Sequence, residues 1–355
     1  MIINKLSKSV IIITTILGGL YMIYPTFPQK NETIGICAPS SGVGHKLESF
    51  DLSLDSIKAK GFNIVETDSV RVNNIRPASG EVRAKEFHQL LQNPDVKMVI
   101  AASGGEFCFE MLPYLDADII KNNIKWFCGY SDPTNIEFYL TTKLDIATIY
   151  GFNAGSFDWR PMHKFQENAL EVLSGNLIEQ ESYDKWDSDR DYEHINLDTP
   201  VSWDLYLPGC DSPCNDKEFN VSGRMIGGCT DIIANLIGTP YDGSKEFIER
   251  YKDDGCIWYF DTFDMNSEQL YFKLLQFRYA GMFDTAKVII MGRVMYPNGS
   301  SDEDYIEAIK MALPDTPFIW GADIGHTKPS MTIINGSLGV LSYSNSKVQL
   351  QLQLI

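Results

Sequence analysis

The feature that most limits the fold is an alternation of apolar runs with stretches of helical spacing. Apolar runs ending in glycine or serine include "TIGICAPSSGVG", "VKMVIAASGG", "IKWFCGYSD" and "LDIATIYGFNAG". Stretches such as "DLSLDSIKAKG" and "GEVRAKEFHQLLQN" lie between them. Unbroken apolar strands that alternate with helices indicate a parallel sheet covered on both faces. We therefore predict a doubly wound α/β domain over residues 32–178.

The second half of the chain predicts a smaller, β-rich domain over residues 223–355. Its buried strands are expected in "GRMIGGC", "CIWYFDTF", "AKVIIMGRV" and "PFIWGADIGH". The tail "MTIINGSLGVLSYSNSKVQLQLQ" alternates through Asn-Gly and Asn-Ser pairs, which predicts antiparallel hairpins. Between the two domains, residues 179–222 are acidic, aromatic and proline-bearing, which indicates a linker or a long surface excursion.

The N-terminal residues 1–31 form a separate hydrophobic segment. No charged side chain occurs in residues 9–29, a length that can span a bilayer, and the lysines before it favour a cytoplasmic N-terminus. No small-x-small cleavage site follows, so an uncleaved membrane anchor is one interpretation. The other is that Met22 is the true start and the residues before it are upstream sequence. The sequence leaves both open.

Charge and cysteine content exclude some classes of function. The net charge of −17 repels phosphate backbones, so we expect no nucleic-acid partner. Seven cysteines, most of them in or beside apolar runs, are typical of buried free thiols in a reducing compartment, which favours the cytoplasm over the alternative of a membrane-anchored protein. Cys210 and Cys214 have no partner histidines, so we expect no metal site.

Candidate reactive residues lie where predicted strands end, because ligands bind at the carboxyl ends of strands in open α/β sheets. Ser131 in "GYSDPT" resembles a nucleophile elbow, with Pro133 in place of the last glycine. The backbone amides of Asp132 and of Gly104 or Gly105 are candidate oxyanion donors. Serine also caps helices well, so from this motif alone Ser131 is as readily an N-cap as a nucleophile.

A base and an orienting carboxylate are also available. His326 follows a predicted strand in "GADIGHT" and is the best placed of the five histidines. Its carboxylate partner is open among three aspartates: Asp261 at a strand end, Asp264 three residues later, and Asp323 close to the histidine in sequence. Acyl transfer by a nucleophile, a base and a carboxylate is therefore possible.

Several motifs in order resemble the LD-carboxypeptidase family of serine peptidases, within it the branch of microcin C7 self-immunity proteins. They are "TIGICAPSSG", "VKMVIAASGGEFCFEMLPYLD", "WFCGYSDPT", "GRMIGGCTDIIANLIGTPY", "QFRYAGMFDTAKVIIMG" and "GADIGH". The resemblance implies a flavodoxin-like N-terminal domain, a swivelling β/β/α-like C-terminal domain and a homodimer. It implies a Ser-His-Glu triad that falls on Ser131, His326 and Asp261, with no cofactor.

The resemblance also implies a reaction, and the chain departs from the family in two places. The expected reaction is hydrolysis of an amide between an L-centre and a D-residue, such as release of D-alanine from a murein tetrapeptide. The alternatives are cleavage of a peptidyl-nucleotide, as in the microcin-immunity branch, and ligand binding without catalysis. Asp261 stands where the family has glutamate, and "YGFNAG" at residues 150–155 stands where many members have His-Gly-Pro.

Overall fold

The computed structural model describes residues 21–190 and 195–355. Its first half alternates strands and helices as the sequence predicts, with one 3-10 helix, Cys108–Tyr114. The strands are β1 Thr33–Cys37, β2 Asn63–Glu66, β3 Val96–Ala101, β4 Trp126–Gly129 and β5 Thr148–Tyr150. The helices are α1 Leu47–Ala59, α2 Gly80–Gln92, α3 Ala117–Asn122, α4 Thr134–Leu144 and α5 Lys164–Leu173.

These five strands form a parallel sheet in the order β2-β1-β3-β4-β5, the flavodoxin-like order. Their side chains are mostly buried on both faces, as unbroken apolar runs require. Helix α4 is buried along nearly its whole length, because it packs on this sheet and also on elements of the second half. The N-terminal part of the predicted fold class is thus confirmed.

The middle and second half of the chain add the remaining elements. The strands are β6 Gln180–Glu181, β7 Lys185–Trp186, β8 Thr199–Pro200, β9 Asp204–Tyr206, β10 Phe219–Cys229, β11 Cys256–Asp261, β12 Ala286–Gly292, β13 Phe318–Ala322, β14 Ile333–Asn335, β15 Leu338–Ser344 and β16 Lys347–Gln353. The helices are α6 Thr230–Leu236, α7 Ser244–Arg250, α8 Ser267–Tyr279 and α9 Asp302–Ala312.

A second, mixed sheet has the order β6-β16-β15-β10-β11-β12-β13-β9. Its centre, β10 to β13, is parallel, and its outer strands pair antiparallel. The predicted buried strands of this half are all present. The two-domain α/β architecture with a β-rich second domain is therefore confirmed.

The predicted tail hairpins are half right. Strands β15 and β16 form an antiparallel hairpin around Asn345 and Ser346, both of which have positive φ. The Asn335-Gly336 pair does not close a hairpin. Strand β14 before it pairs antiparallel with β5 in the first sheet, while β15 after it pairs with β10 in the second. The chain therefore crosses between the sheets at this turn.

The stretch 179–222 is more than a surface linker, because two of its strands pair with the second sheet. Strand β6 pairs with β16, and β9 pairs with β13. Trp203 between them is fully buried, and its indole nitrogen donates to Asp323 over 3.0 Å. The second sheet thus begins well before Gly223, where the sequence suggested that the second domain starts.

Part of the hydrophobic N-terminal segment packs on the fold. Residues 1–20 lie outside the described residues, and with them most of the possible anchor over residues 9–29. Met22 is buried, Ile23 forms a β-bridge with Ile146, and the ring of Phe27 stacks on Trp126 at 4.7 Å. In the part of the chain that the structure describes, no helix is long and apolar enough to cross a membrane.

Candidate active site

A cleft of about 850 Å³ opens where carboxyl ends of strands from both sheets meet. Ser131, Gly104 and Asn153 reach it from the loops after β4, β3 and β5. His326 reaches it from the loop after β13 in the second sheet. A cleft at the strand ends of a doubly wound sheet is where such folds bind ligands.

Ser131 has the backbone of a nucleophile elbow. Its φ of +69° is unusual for a residue with a side chain, and such backbone strain is found at functional sites. Helix α4 begins three residues later, with Pro133 at its N-cap and no capping hydrogen bond from a side chain. The structure therefore does not use Ser131 as a helix cap. Its side chain lines the cleft instead.

The loop after β3 lies against Ser131. A Cβ atom placed on Gly104 would be only 3.0 Å from the Cβ and 3.1 Å from the Oγ of Ser131, so any larger residue would crowd the Ser131 side chain. Gly104 lines the cleft, which suits a backbone donor to a developing oxyanion. Gly105, the other candidate donor, is not part of the cleft lining.

The side chain of Asp132 fixes the turn that carries Ser131, the candidate nucleophile, a role that sequence reasoning missed. One carboxylate oxygen accepts from Ser40 Oγ and, over 2.8 Å, from the amide of Cys108. The other accepts from Asn135 over 2.9 Å. Burial raises the pKa of this carboxyl. These bonds join three segments of the first domain behind Ser131, so the amide of Asp132 sits on a rigid turn.

Asp261 is the aspartate that meets His326. Its Oδ2 lies 2.7 Å from His326 Nδ1, and its Oδ1 accepts from the backbone amide of His326 over 3.1 Å. The 2.7 Å separation is a hydrogen-bond distance, although the N–H direction of the imidazole is not aligned with it. The other two candidates lie elsewhere: Asp264 is exposed and bonded to Asn298, and Asp323 is bonded to Arg293.

Gly325 lets the loop before His326 lie directly against Asp261. A Cβ atom on Gly325 would lie 2.0 Å from the carboxyl carbon of Asp261, and the φ of Gly325 is +100°. Only glycine allows this contact. The residue before the histidine is therefore fixed by the position of the carboxylate.

Tyr150 is a second partner of Asp261 that the sequence analysis did not assign. Its hydroxyl donates to Asp261 Oδ2 over 2.6 Å, the same oxygen that faces His326. Burial, and then the negative charge of Asp261, raise the pKa of Tyr150, so it remains a donor at neutral pH. The sequence did carry one signal for this contact. Residues 150–155 depart from the family pattern, and they begin with Tyr150, a polar aromatic residue at the end of a buried strand.

The walls of the cleft are aromatic and carry two lysines. The ring of Phe263 lies 4.6 Å from that of His326, and the ring of Tyr130 lies 5.2 Å from it. Lys46, Lys328 and Asp158 line the cleft, and the charge of Asp158 acts on Lys46. Two cations in the cleft of a chain with a net charge of −17 favour a substrate with an anionic group.

The remaining histidines and the cysteines add no second site. His88 accepts from the amide of Asp116, and His163 caps α5. His45 lines the cleft mouth, and His194 lies outside the described residues. The cysteines are free, and no cluster of metal-ligating side chains occurs within residues 21–190 and 195–355.

Comparison with known proteins identifies the class. Residues 34–151 match the LD-carboxypeptidase N-terminal domain, and residues 222–341 match the LD-carboxypeptidase C-terminal domain. The chain belongs to the LD-carboxypeptidase family. This confirms the resemblance found in the sequence motifs.

Individual relatives cover nearly the whole chain. A putative carboxypeptidase of Vibrio cholerae is 24% identical over 93% of this chain and 98% of its own length. The microcin C7 self-immunity protein MccF of Escherichia coli is 25% identical over 90% of this chain and 93% of its own length. The crystal structure of an MccF-like protein from Bacillus anthracis has a TM-score of 0.76 at 24% identity, covering 94% of this chain and 100% of that one.

Proposed function

We propose that the chain is a serine-type LD-carboxypeptidase-like amidase that hydrolyses an amide in a peptide of cell-wall origin. The observation that carries the proposal is the 2.7 Å approach of His326 to Asp261, in a cleft that also holds Ser131 on a strained turn. Family membership supports a peptidase, since both domains match LD-carboxypeptidases. Release of a terminal D-alanine from a murein tetrapeptide is the expected reaction.

The proposed mechanism assigns one role to each of these groups. Ser131 Oγ attacks the carbonyl carbon of the scissile amide while the free ring nitrogen of His326 takes its proton. The carbonyl oxygen becomes an oxyanion, which the backbone amides of Gly104 and Asp132 stabilise. Asp261 holds the imidazole in position and stabilises its positive charge.

The second half of the reaction releases the products and regenerates the free enzyme. His326 gives its proton to the departing amine, the carbon–nitrogen bond breaks, and an acyl-Ser131 ester remains. Water then attacks the ester carbon while His326 removes a proton from it. The carbon–oxygen bond to Ser131 breaks, His326 returns the proton to Ser131 Oγ, and the shortened peptide is released. Every proton passes through His326, so this mechanism is complete with the chain's own residues.

The test uses two substrates and one variant. The protein is incubated with murein tetrapeptide and, separately, with an acylated aminoacyl-nucleotide, and the products are identified by mass spectrometry. We expect D-alanine from the first substrate and no product with Ser131→Ala. No cleavage of either substrate, with no labelling of Ser131 by a serine-reactive phosphonate, would instead indicate a non-catalytic binding protein.

Cleavage of the nucleotide substrate is the second candidate function. It is favoured by the similarity to the microcin C7 self-immunity protein and by a cleft with room for a nucleotide-sized ligand. Product from the acylated nucleotide alone would select it over the cell-wall substrate.

Assembly and location complete the proposal. We propose a homodimer in the cytoplasm, with an anchor through residues 9–29 as the alternative location. Light scattering on the purified chain measures the oligomeric state. Fractionation of cells that express the full chain shows whether the protein is in the cytoplasm or at the membrane.

A further inference from the structure

Lys328 is a cation in the cleft that forms no ion pair within residues 21–190 and 195–355. Among the ion pairs of the described residues none involves Lys328 within 4.0 Å. Its ammonium donates weakly to the carbonyl of Gly325 at 3.4 Å. It lies 5.0 Å from the ring centre of Tyr130 and 5.8 Å from that of Phe165. Aromatic faces hold a cation without neutralising it, so the charge is available to a ligand.

Lys328 also lies close to the reacting groups. It follows His326 by two residues, and its ammonium lies over Tyr130, the residue before Ser131. Burial lowers the pKa of Lys328 to about 8, and the charge of Asp261 opposes this shift. At neutral pH most molecules therefore carry a charged, half-desolvated ammonium beside the proposed nucleophile and base.

The geometry of a single-residue leaving group matches this position. The departing amine must lie near the imidazole of His326, which protonates it. In an amino acid the nitrogen and the carboxyl carbon are separated by two bonds, about 2.5 Å. If only one residue leaves, its carboxylate therefore lies within a few ångströms of the histidine loop, where Lys328 projects into the cleft.

Lys46, the other cleft lysine, is differently placed. Its ammonium lies 3.4 Å from Ser103 Oγ on the loop after β3, and the charge of Asp158 acts on it. Burial lowers its pKa as well. Because Lys46 is the N-cap residue of α1 and contacts Ser103, whereas Lys328 follows His326 on its loop, Lys46 is the natural comparison rather than the carboxylate acceptor.

We propose that Lys328 binds the free carboxylate of the leaving residue and so restricts cleavage to the last residue of the peptide. This rests on the proposed amidase function. A peptide that continued beyond this residue, or ended in an amide, would place a neutral group against the ammonium. The desolvated ammonium of Lys328 would then have no anionic group within ion-pair distance, which disfavours binding.

The experiment measures binding separately from cleavage. Murein tetrapeptide ending in D-alanine and the same peptide with a C-terminal carboxamide are titrated calorimetrically into the Ser131→Ala variant. We expect the free acid to bind between about 10-fold and 100-fold more tightly, as for a hydrogen bond between charged groups. Adding Lys328→Met should bring the acid-to-amide ratio close to one. Lys328→Arg should keep part of the preference.

The matched control is Lys46→Met in the same background, which removes an equal charge from the start of α1 and should keep the ratio. Three results would each overturn the proposal: an acid-to-amide ratio near one in Ser131→Ala itself, a ratio unchanged by adding Lys328→Met, or a ratio lost on adding Lys46→Met. If Lys328→Met does not fold, Lys328→Gln replaces it. Failure of the proposed function is a separate result: wild type that binds the acid with the expected preference but does not cleave it.

Discussion

Two buried aspartates at the carboxyl edge of the second sheet show how the same side chain serves two purposes. Asp261 is the last residue of β11, and Asp323 directly follows β13. Both are completely buried. One carboxylate oxygen of Asp323 accepts a hydrogen bond from the guanidinium of Arg293 over 2.9 Å. Its other oxygen accepts from the indole nitrogen of Trp203 and the backbone amide of Tyr183. Asp261 accepts a hydrogen bond from the hydroxyl of Tyr150, and the same carboxylate oxygen faces the imidazole of His326.

The two aspartates differ in which part of the molecule their hydrogen-bond partners belong to. Trp203 and Tyr183 belong to the stretch 179–222, so Asp323 ties that stretch to the sheet and is enclosed by its donors. His326 has one ring nitrogen at Asp261 and lines the cleft, so the carboxylate can act on a group outside the core. Burial alone does not distinguish a carboxylate with a structural role from one proposed to act in catalysis. The groups that donate hydrogen bonds to each carboxylate do distinguish them.

The largest expected effect is that of Asp261→Asn on activity. The amide cannot hold or stabilise the imidazolium as the carboxylate does, so kcat/KM should fall by about 10³-fold to 10⁴-fold. The melting temperature should change little, because asparagine has the same shape. Steady-state kinetics and thermal unfolding measure the two. Asp264→Asn, at the exposed aspartate three residues later, is the control and should retain activity. Similar losses in both variants would contradict the assignment of Asp261.

Asp323→Asn should have the opposite result. It leaves the buried guanidinium of Arg293 without its counter-charge, so the free energy of unfolding should fall by about 3 to 5 kcal/mol. Activity per folded molecule should remain within a few-fold at low temperature. Urea denaturation followed by tryptophan fluorescence measures the stability. The double variant Asp323→Asn with Arg293→Leu should recover part of the loss; no recovery would mean that the pair is not what stabilises this region.

Glu137 extends the comparison to a carboxyl group with little hydrogen bonding. It is fully buried in α4, and within the described ranges neither of its carboxyl oxygens makes a well-aligned hydrogen bond, although the backbone of Gly129 acts on it. Burial raises the pKa of Glu137. Above the pKa of the unfolded state, the unfolded chain loses a proton that the folded chain keeps, so stability falls as pH rises.

Glu137→Gln should therefore stabilise the protein more at pH 7 than at pH 5. The gain grows by at most about 1.4 kcal/mol per pH unit until the pKa of the folded state is reached. Urea unfolding at the two pH values measures it, and Glu179→Gln at an exposed loop position is the control. Equal effects at both pH values would show that Glu137 is ionised in the folded protein.

The smallest expected effect is that of Tyr150→Phe. It removes one of the groups that hold Asp261 but none that touches substrate, so kcat should fall about 10-fold with KM nearly unchanged. Tyr259→Phe is matched to it, since this neighbouring buried hydroxyl bonds Asn335 instead of Asp261. Its effect should be on stability. A rise in KM with unchanged kcat in Tyr150→Phe would indicate that the hydroxyl contacts substrate.

Much of the first domain could be predicted from sequence, because its information is local. The runs before Ser103 and Ser131 are long, apolar and separated by helices, so strand and helix types follow from periodicity. The turn at Ser131 was recognisable as an elbow. The residues alone, however, could not exclude a helix cap, since both readings place serine between a strand and a helix. The φ of Ser131 and the start of α4 at Thr134 separate them.

The pairing of residues distant in sequence was decided by the tertiary structure. Three aspartates near the histidine or at strand ends were equivalent as residue types, and only their surroundings differ: Asp264 is exposed, Asp323 is enclosed, and Asp261 faces the imidazole. The turn at Asn335 and Gly336 has hairpin composition, yet competing partners in two sheets separate its strands.

The sequence by itself determined the alternation of strands and helices, the strand-end positions of Ser131 and His326, and, through ordered motifs, the family. The tertiary structure decided which groups face one another across the cleft: Tyr150 with Asp261, and Lys328 with the ring of Tyr130. The physical reason is that periodicity encodes which face of an element is buried. Contacts between elements depend on how two sheets pack, and a single sequence does not express this locally.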